Sequence, residues 1–199
     1  MADFEAVSRH LKERGYTVHI FPTAAEAAAY LNGAIDGVTV GFGGSATLKD
    51  MGAYELLSAH NTVYWHWKQA PDEARKAAMD TEVYLTSVNA LAETGEMVNI
   101  DGAGNRVAST LFGHKRIYFA VGRNKLTETY DQAVWRARNV AAPQRARQLG
   151  AKTPCALKAD PCYDCKSPGR ICRGMTTLWG PMMSMESAEV LLIDEDLGL

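Results

Sequence analysis

The chain lacks any run of eighteen apolar residues, so no segment reads as a membrane-spanning helix. Its opening stretch, MADFEAVSRHLKERGY, carries charges throughout and has no apolar centre of the kind a secretory leader needs. A charge excess is missing too: the formal net charge is −2 and the sequence pI is near 6.2. That balance argues against a general attraction to nucleic acid or acidic membranes. Internal repeats, low-complexity tracts and long linkers are absent. Cysteine is absent from residues 1–154 and 173–199, and all four cysteines fall between 155 and 172. With 199 residues, 47% of them hydrophobic, the chain buries a sufficient core without disulfide staples. The expectation is one domain over 1–199 in a reducing, cytoplasmic setting, with a Cys-rich loop over 153–174 used for ligand chemistry.

What is present alternates between strand and helix patterns. Phe4, Val7 and Leu11 recur at helical spacing before Gly15, and TVHIF (17–21) reads as a short strand. Thr23 is suited to cap the Ala-rich helix that follows, because its hydroxyl accepts a free N–H of the first turn. GVTVGF (37–42), EVYLTSVNAL (82–91) and RIYFAVG (116–122) are apolar, β-branched runs of the kind buried on both faces. TVYWHW predicts a further strand with a satisfied imidazole at its end, and DEARKAAM a helix. A helix begins near Asn105, and YDQAVWRARNVAAPQRARQLG predicts a long helix or helix pair interrupted near Pro143. EVLLIDEDLGL closes the chain as a strand with an acidic tail. The pattern predicts an α/β fold, a largely parallel sheet with helices on both faces.

Two stretches invite a ligand. VGFGGSATLKD sets Gly43, Gly44, Ser45 and Thr47 between a buried strand and a helix, where glycines admit anion oxygens to the backbone and hydroxyls add donors. The same residues also make a tight turn with Ser45 as a helix cap. It matches neither the P-loop nor the dinucleotide fingerprint. NALAETGEMVNIDGAGNRVA supplies Glu93, Asn99, Asp101, Asn105 and Arg106 near strand ends. A carboxylate in such a crevice serves as base or nucleophile, although Asn, Asp and Gly are equally what turns require. Arg123, Lys125, Arg136, Arg138, Arg145 and Arg147 make the following stretch basic, one or two of them suited to a phosphate or carboxylate and the rest to a solvated face.

The cysteines follow C-x6-C-x2-C-x6-C: Cys155, Cys162, Cys165 and Cys172. Zinc, an iron–sulfur cluster and free or oxidised thiols are all compatible with four thiols, and the spacing matches neither a standard zinc knuckle nor the compact ferredoxin run. Lys166, Arg170 and Arg173 interleave with them and offset thiolate charge. The five histidines are scattered and form no metal-ligand spacing.

TSVNALAETGEMVNIDGAGNRVASTLFGHKRIYFAVGRNKLT, together with GFGGSATL, ARNVAAP and PCYDCKSPGRIC, resembles the LUD family of lactate-utilization domain proteins over most of the chain. The resemblance implies a fold like that of ribose-phosphate isomerase, glucosamine-phosphate deaminase and the CoA transferases, with the Gly-Ser and DG turns facing a ligand cleft. It implies an association with oxidation of lactate or a related organic acid, and it favours an iron–sulfur centre on the four cysteines, with zinc as the alternative. AETG is similar to the SENG loop of CoA transferases, with Ala92 and Thr94 in place of its Ser and Asn. Glu93 aligns with the glutamate that attacks the thioester there. A transferase or isomerase acting on a phosphorylated or CoA-linked acid through Glu93, or a non-catalytic ligand-binding subunit, are the other readings. The expected partners are a small anion (phosphate, carboxylate or CoA ester), an iron–sulfur redox protein and a second copy of the chain.

Overall fold

The computed structural model describes residues 3–199; Met1 and Ala2, the start of the charged opening stretch, lie outside it. Helix α1 (Phe4–Glu13) is capped by Asp3, whose side chain accepts from Glu5 N, and it buries Val7 and Leu11. Strand β1 (Thr17–Phe21) leads into α2 (Ala24–Ala34), where Thr23 caps as its hydroxyl suggests. Strand β2 (Thr39–Phe42) needs a glycine at its centre: a Cβ on Gly41 would stand 2.5 Å from Ala78 O. The helix predicted after β2 is two short ones, α3 (Ala46–Asp50) and α4 (Ala53–Ser58), broken at Gly52 with φ 65°.

Strand β3 (Thr62–Tyr64) is shorter than TVYWHW predicts. Gln69 ends it, its amide accepting from Trp65 N and donating to Val63 O, so residues 65–68 turn away. Helix α5 (Pro71–Ala78) starts on a proline, which has no N–H to satisfy. The predicted strand over 82–91 divides in two. Strand β4 (Val83–Thr86) and strand β5 (Ala90–Ala92) belong to different sheets. Between them Ser87 donates to Ala120 O, and Asn89 accepts from Ile100 N, which pulls the chain out of the first ladder.

Strand β6 (Met97–Asp101) returns antiparallel to β5 and leads to α6 (Asn105–Leu111) and β7 (Arg116–Gly122). A single 3₁₀ turn at 123–125 precedes the short β8 (Leu126–Thr127). Helices α7 (Tyr130–Arg136) and α8 (Ala142–Gln148) form one rod rather than an interrupted pair. A π turn over Ala137–Ala141 joins them, and Pro143 sits at the first positions of α8. The wider π turn shifts the hydrogen-bond register there, so the missing proline N–H does not break the rod. The short α9 (Pro154–Lys158), β9 (Gly174–Leu178) and β10 (Ser187–Ile193) complete the chain.

The main sheet runs β1-β10-β7-β4-β2-β3, and every pair in it is parallel, as the buried runs predict. A second sheet, β8-β5-β6-β9, is mostly antiparallel and was not foreshadowed by the strand–helix alternation. Alternate residues of the central strands feed two cores. Leu85, Tyr118 and Ala120 join Phe42, Trp65 and Leu31 on the α2–α4 face. Tyr84, Ile117 and Phe119 join Leu11, Leu91 and Met97 on the other, so α1 and the second sheet cover that face. Ala133 and Ala137 of the long rod then pack on Ala90, Ala92 and Val98 behind the second sheet. Among the described residues no helix is long and apolar enough to cross a membrane.

Candidate functional site

The parallel ladder places the carboxyl ends of β2, β4 and β7 side by side, and a cleft of about 1010 Å³ opens beyond them. Its wall takes Gly44 and Ser45 after β2, His66 and Trp67 after β3, Ser87 and Asn89 after β4, and Lys125 after β7. Arg145 of α8, the 101–103 turn, and Arg170, Ile171 and Arg173 of the Cys-rich loop close the far side. The wall is strongly cationic. Lys49, Lys68, Arg75, Arg106, Lys125, Arg145, Arg170 and Arg173 line it, against Asp101 as its acidic side chain. Ligands of open α/β sheets gather in such crevices.

Lys125 lies at the bottom, 4% exposed. Its ammonium donates to Thr47 Oγ1 at 2.6 Å and Ser87 Oγ at 2.8 Å, and among the described residues it has no carboxylate partner. Burial, followed by repulsion from Arg136 and Arg106, lowers its pKa to about 7, with Asp50 opposing weakly. An uncompensated cation at the base of a cleft favours an anion there and is itself a proton donor or acceptor near neutrality.

The Trp65–Trp67 turn forms the neighbouring wall. Trp65 and Trp67 stack at 5.2 Å, and the Arg145 guanidinium lies 4.7 Å over Trp67. His66 corrects the sequence expectation of a satisfied imidazole on a strand end: it sits on a turn, and among the described residues its buried Nδ1 has no hydrogen-bond partner. Burial, Arg75 and Arg145 together hold its pKa below the usual histidine value, so the ring is neutral at pH 7.

Of the residues the two Gly- and Asn-rich stretches nominate, Gly44, Ser45, Asp101, Asn105 and Arg106 line the cleft. Gly43, Thr47 and Asn99 stand behind the wall and shape it. A Cβ on Gly43 would come within 2.9 Å of Thr86 Oγ1 and 3.1 Å of Arg106 Cγ. Thr47 holds Lys125, and Ser45 Oγ caps α3 by accepting from Leu48 N at 3.2 Å. With only five residues, α3 brings a smaller dipole to the Gly turn than the sequence pattern suggests. Asn99 accepts from Arg106 Nη1 at 2.9 Å.

Arg106 spends its guanidinium inward, on Ser87 O, Asn89 Oδ1, Asn99 Oδ1 and Ile100 O, with Asp101 3.9 Å from its Nε. Asp101 likewise accepts from the N–H groups of Gly102 and Val107. This pair fastens the loop after β4 to β6 and leaves little capacity for a ligand. Glu93 is elsewhere. It occupies the β5–β6 turn, at the opposite end of that hairpin from Asn89 and Asp101, where Asp3 N donates to its carboxylate and His10 Nδ1 lies 2.8 Å from its carbonyl. It does not line the cleft.

Lys125 was visible in sequence only as one basic residue of a run. The others diverge: Arg123 pairs with Asp194 and Asp196 at the surface, while Arg136 donates to the Asn124 and Asn89 carbonyls. Local sequence does not single out Lys125: Arg123 is exposed and Asn124 half-buried just before it, and its burial comes from its contacts with Thr47 and Ser87.

Cys155, Cys162, Cys165 and Cys172 carry free thiols and line one small cavity, of about 20 Å³, beside Pro143 and Ala146 of α8. The segment 160–173 that carries three of them has no helix or strand. Arg170 braces it, donating to the carbonyls of Cys165 and Cys172, and Asn139 Oδ1 accepts from Cys162 N. Asp164 at φ 47° and Ala159 at φ 60° are the non-glycine residues of positive φ among those described, both between the thiols. An all-sulfur set suits zinc or an iron–sulfur cluster in kind and number. Among the described residues, however, no three His, Cys, Asp or Glu side chains are placed to hold one ion.

No curated protein matches the chain. A solved structure of a DUF162 family protein from Deinococcus radiodurans shares the fold, with TM-score 0.53, 12% identity, and coverage of 95% of this chain and 94% of that one. The sequence profile of the LUD domain matches residues 4–192, nearly the whole of what has been described, and the chain belongs to the LUD domain family.

Proposed function

We propose that this LUD domain binds a small organic anion in the cleft beyond β2, β4 and β7, in the setting of lactate or related organic-acid oxidation that the family suggests. The observation that carries the reading is Lys125, a buried cation held by two hydroxyls with no ion-paired carboxylate among the described residues, at the bottom of a wall rich in Lys and Arg. A carboxylate, a phosphate or the acidic end of a CoA ester would supply the missing negative charge. Calorimetric titration with lactate, inorganic phosphate and CoA tests it. Binding of at least one, weakened about tenfold or more by Lys125→Met, is the expected result, since losing a charge-assisted bond costs about 1.5–3 kcal/mol. No binding, or binding indifferent to that substitution, overturns the reading.

A second reading concerns the thiols, because four free ones face a single cavity. In this reading Cys155, Cys162, Cys165 and Cys172 hold an iron–sulfur cluster, which would supply one-electron transfer beside the cleft that Arg170 also lines. Lys166, Arg170 and Arg173 would balance the charge of the four thiolates. Iron, sulfide and zinc analysis of protein purified without oxygen, with its visible spectrum, decides the matter. Zinc in place of iron overturns the cluster, and less than stoichiometric metal of either kind overturns both.

A further inference from the structure

The cage around Lys125 directs the remaining bond of its nitrogen. Thr47 Oγ1 and Ser87 Oγ stand 2.6 and 2.8 Å from Nζ. Their own protons have other acceptors: Ser87 donates to Ala120 O at 2.5 Å, and Thr47 to Leu197 O at 3.3 Å. Both hydroxyl oxygens therefore accept from the lysine. A neutral amine has two N–H bonds and one lone pair, so the two hydroxyls take both hydrogens and leave the lone pair at the remaining tetrahedral position. Lys125 is among the residues that line the cleft, and Gly198 packs beside its nitrogen, where a Cβ would stand 3.4 Å from Nζ. Among the described residues no carboxylate lies within ion-pair distance of this primary amine, and Arg136 and Arg106 disfavour its charge more than Asp50 favours it, which is the setting of lysine nucleophiles.

From this arrangement we infer that Lys125 condenses with the carbonyl carbon of a small ligand that also carries an anionic group, forming an imine in the cleft. The inference rests on the anion-binding reading and deepens it: the anionic end of the ligand supplies affinity and the carbonyl supplies reactivity. An α-oxo acid and a phosphorylated ketone both answer this description. The nitrogen lone pair forms the C–N bond while the carbonyl π pair moves to oxygen. A proton passes from nitrogen to that oxygen, giving a carbinolamine. The nitrogen then expels the oxygen as water, with one proton taken from solvent, leaving a protonated imine. Amine, carbonyl and one proton become iminium and water, so neither oxidant nor reductant is consumed.

Incubation with pyruvate or with dihydroxyacetone phosphate, each with sodium cyanoborohydride, reads the imine as a reduced adduct by intact mass and peptide mapping. One arm should label the peptide holding Lys125 about tenfold or more above any surface lysine, whose amine stays protonated at neutral pH. The arm that labels names the ligand class. Lys125→Arg should abolish that adduct. The pair Thr47→Val and Ser87→Ala keeps the amine but removes its cage, and should slow labelling severalfold, so a folding defect at position 125 does not decide the matter. If calorimetry shows either probe binding in the cleft with no adduct on Lys125, the imine is overturned and anion binding stands. If neither probe binds, and lactate, phosphate and CoA do not bind either, both fall together.

Discussion

At the scale of single residues, two buried cations divide the work of the site. Arg106 is spent on the protein: four acceptors and the nearby Asp101 saturate its fork. Replacing it by Met removes a donor from Asn99 and two carbonyls, leaves Asn89 Oδ1 with Ile100 N alone, and leaves Asp101 without its counter-charge. The expected cost is about 3–5 kcal/mol in urea denaturation, the range for breaking a buried charge pair. Lys125 is the opposite case, a cation the fold disfavours. Its pKa falls to about 7 in the folded chain through burial, Arg136 and Arg106, with Asp50 opposing, and returns to 10.5 on unfolding. The unfolded state therefore binds the extra proton between those values, and stability from this group rises with pH across that window. Below about pH 7 the full penalty is present. Lys125→Met should thus be more stable than the parent at pH 6, by about 1–3 kcal/mol after allowing for its two lost hydrogen bonds. The advantage should shrink as pH rises toward 10; a gap independent of pH would show that the lysine is charged in the fold throughout.

At the scale of elements, the turn after β2 depends on close approach more than on helix polarity. Gly43 has no room for a side chain between Thr86, the Tyr84 hydroxyl and Arg106. Gly43→Ala should cost about 1–3 kcal/mol, as overpacking does, and should weaken anion binding by displacing Arg106 and the wall beside it. Thermal unfolding and calorimetry measure the two effects separately. The strands that carry this turn are legible because buried parallel strands are written as largely apolar runs: 37–42, 82–91 and 116–122 read as strands, and the structure forms them over 39–42, 83–86 and 116–122. The division at Ser87–Asn89 was not legible, since the residues that redirect the chain act through partners distant in sequence, Ala120, Ile100 and Arg106. The same holds for Lys125. Its basic neighbours in sequence look alike, and only the meeting of β4, β7 and the Thr47 turn separates it from them. Glu93 shows the converse. A motif likeness nominates it, yet the hairpin carries it to the end away from the cleft.

At the scale of the whole molecule, two cores on either face of the six-stranded sheet hold the fold, and neither includes a cysteine. The four thiols of the Cys-rich loop therefore add little to the packing that holds the sheet. Metal-free protein with all four cysteines changed to Ser should keep its far-UV circular dichroism and melt within about 3 °C of the parent, a change of about 1 kcal/mol for a chain of this size. A collapse of secondary structure in that variant would place the loop inside the folding core. Arg170 and Ile171 line both the thiol cavity and the cleft beyond β2, β4 and β7, so the two candidate sites share a wall.

The central claim, that Lys125 is the anchor for an anion, is tested most directly by a crystal structure of the protein grown with a bound carboxylate or phosphate. The expected result is the anion, or the carbon of an imine, bonded to Lys125 Nζ between the Gly44 turn and Asp101. A ligand bound elsewhere, with Lys125 still contacting only Thr47 and Ser87, would contradict the account.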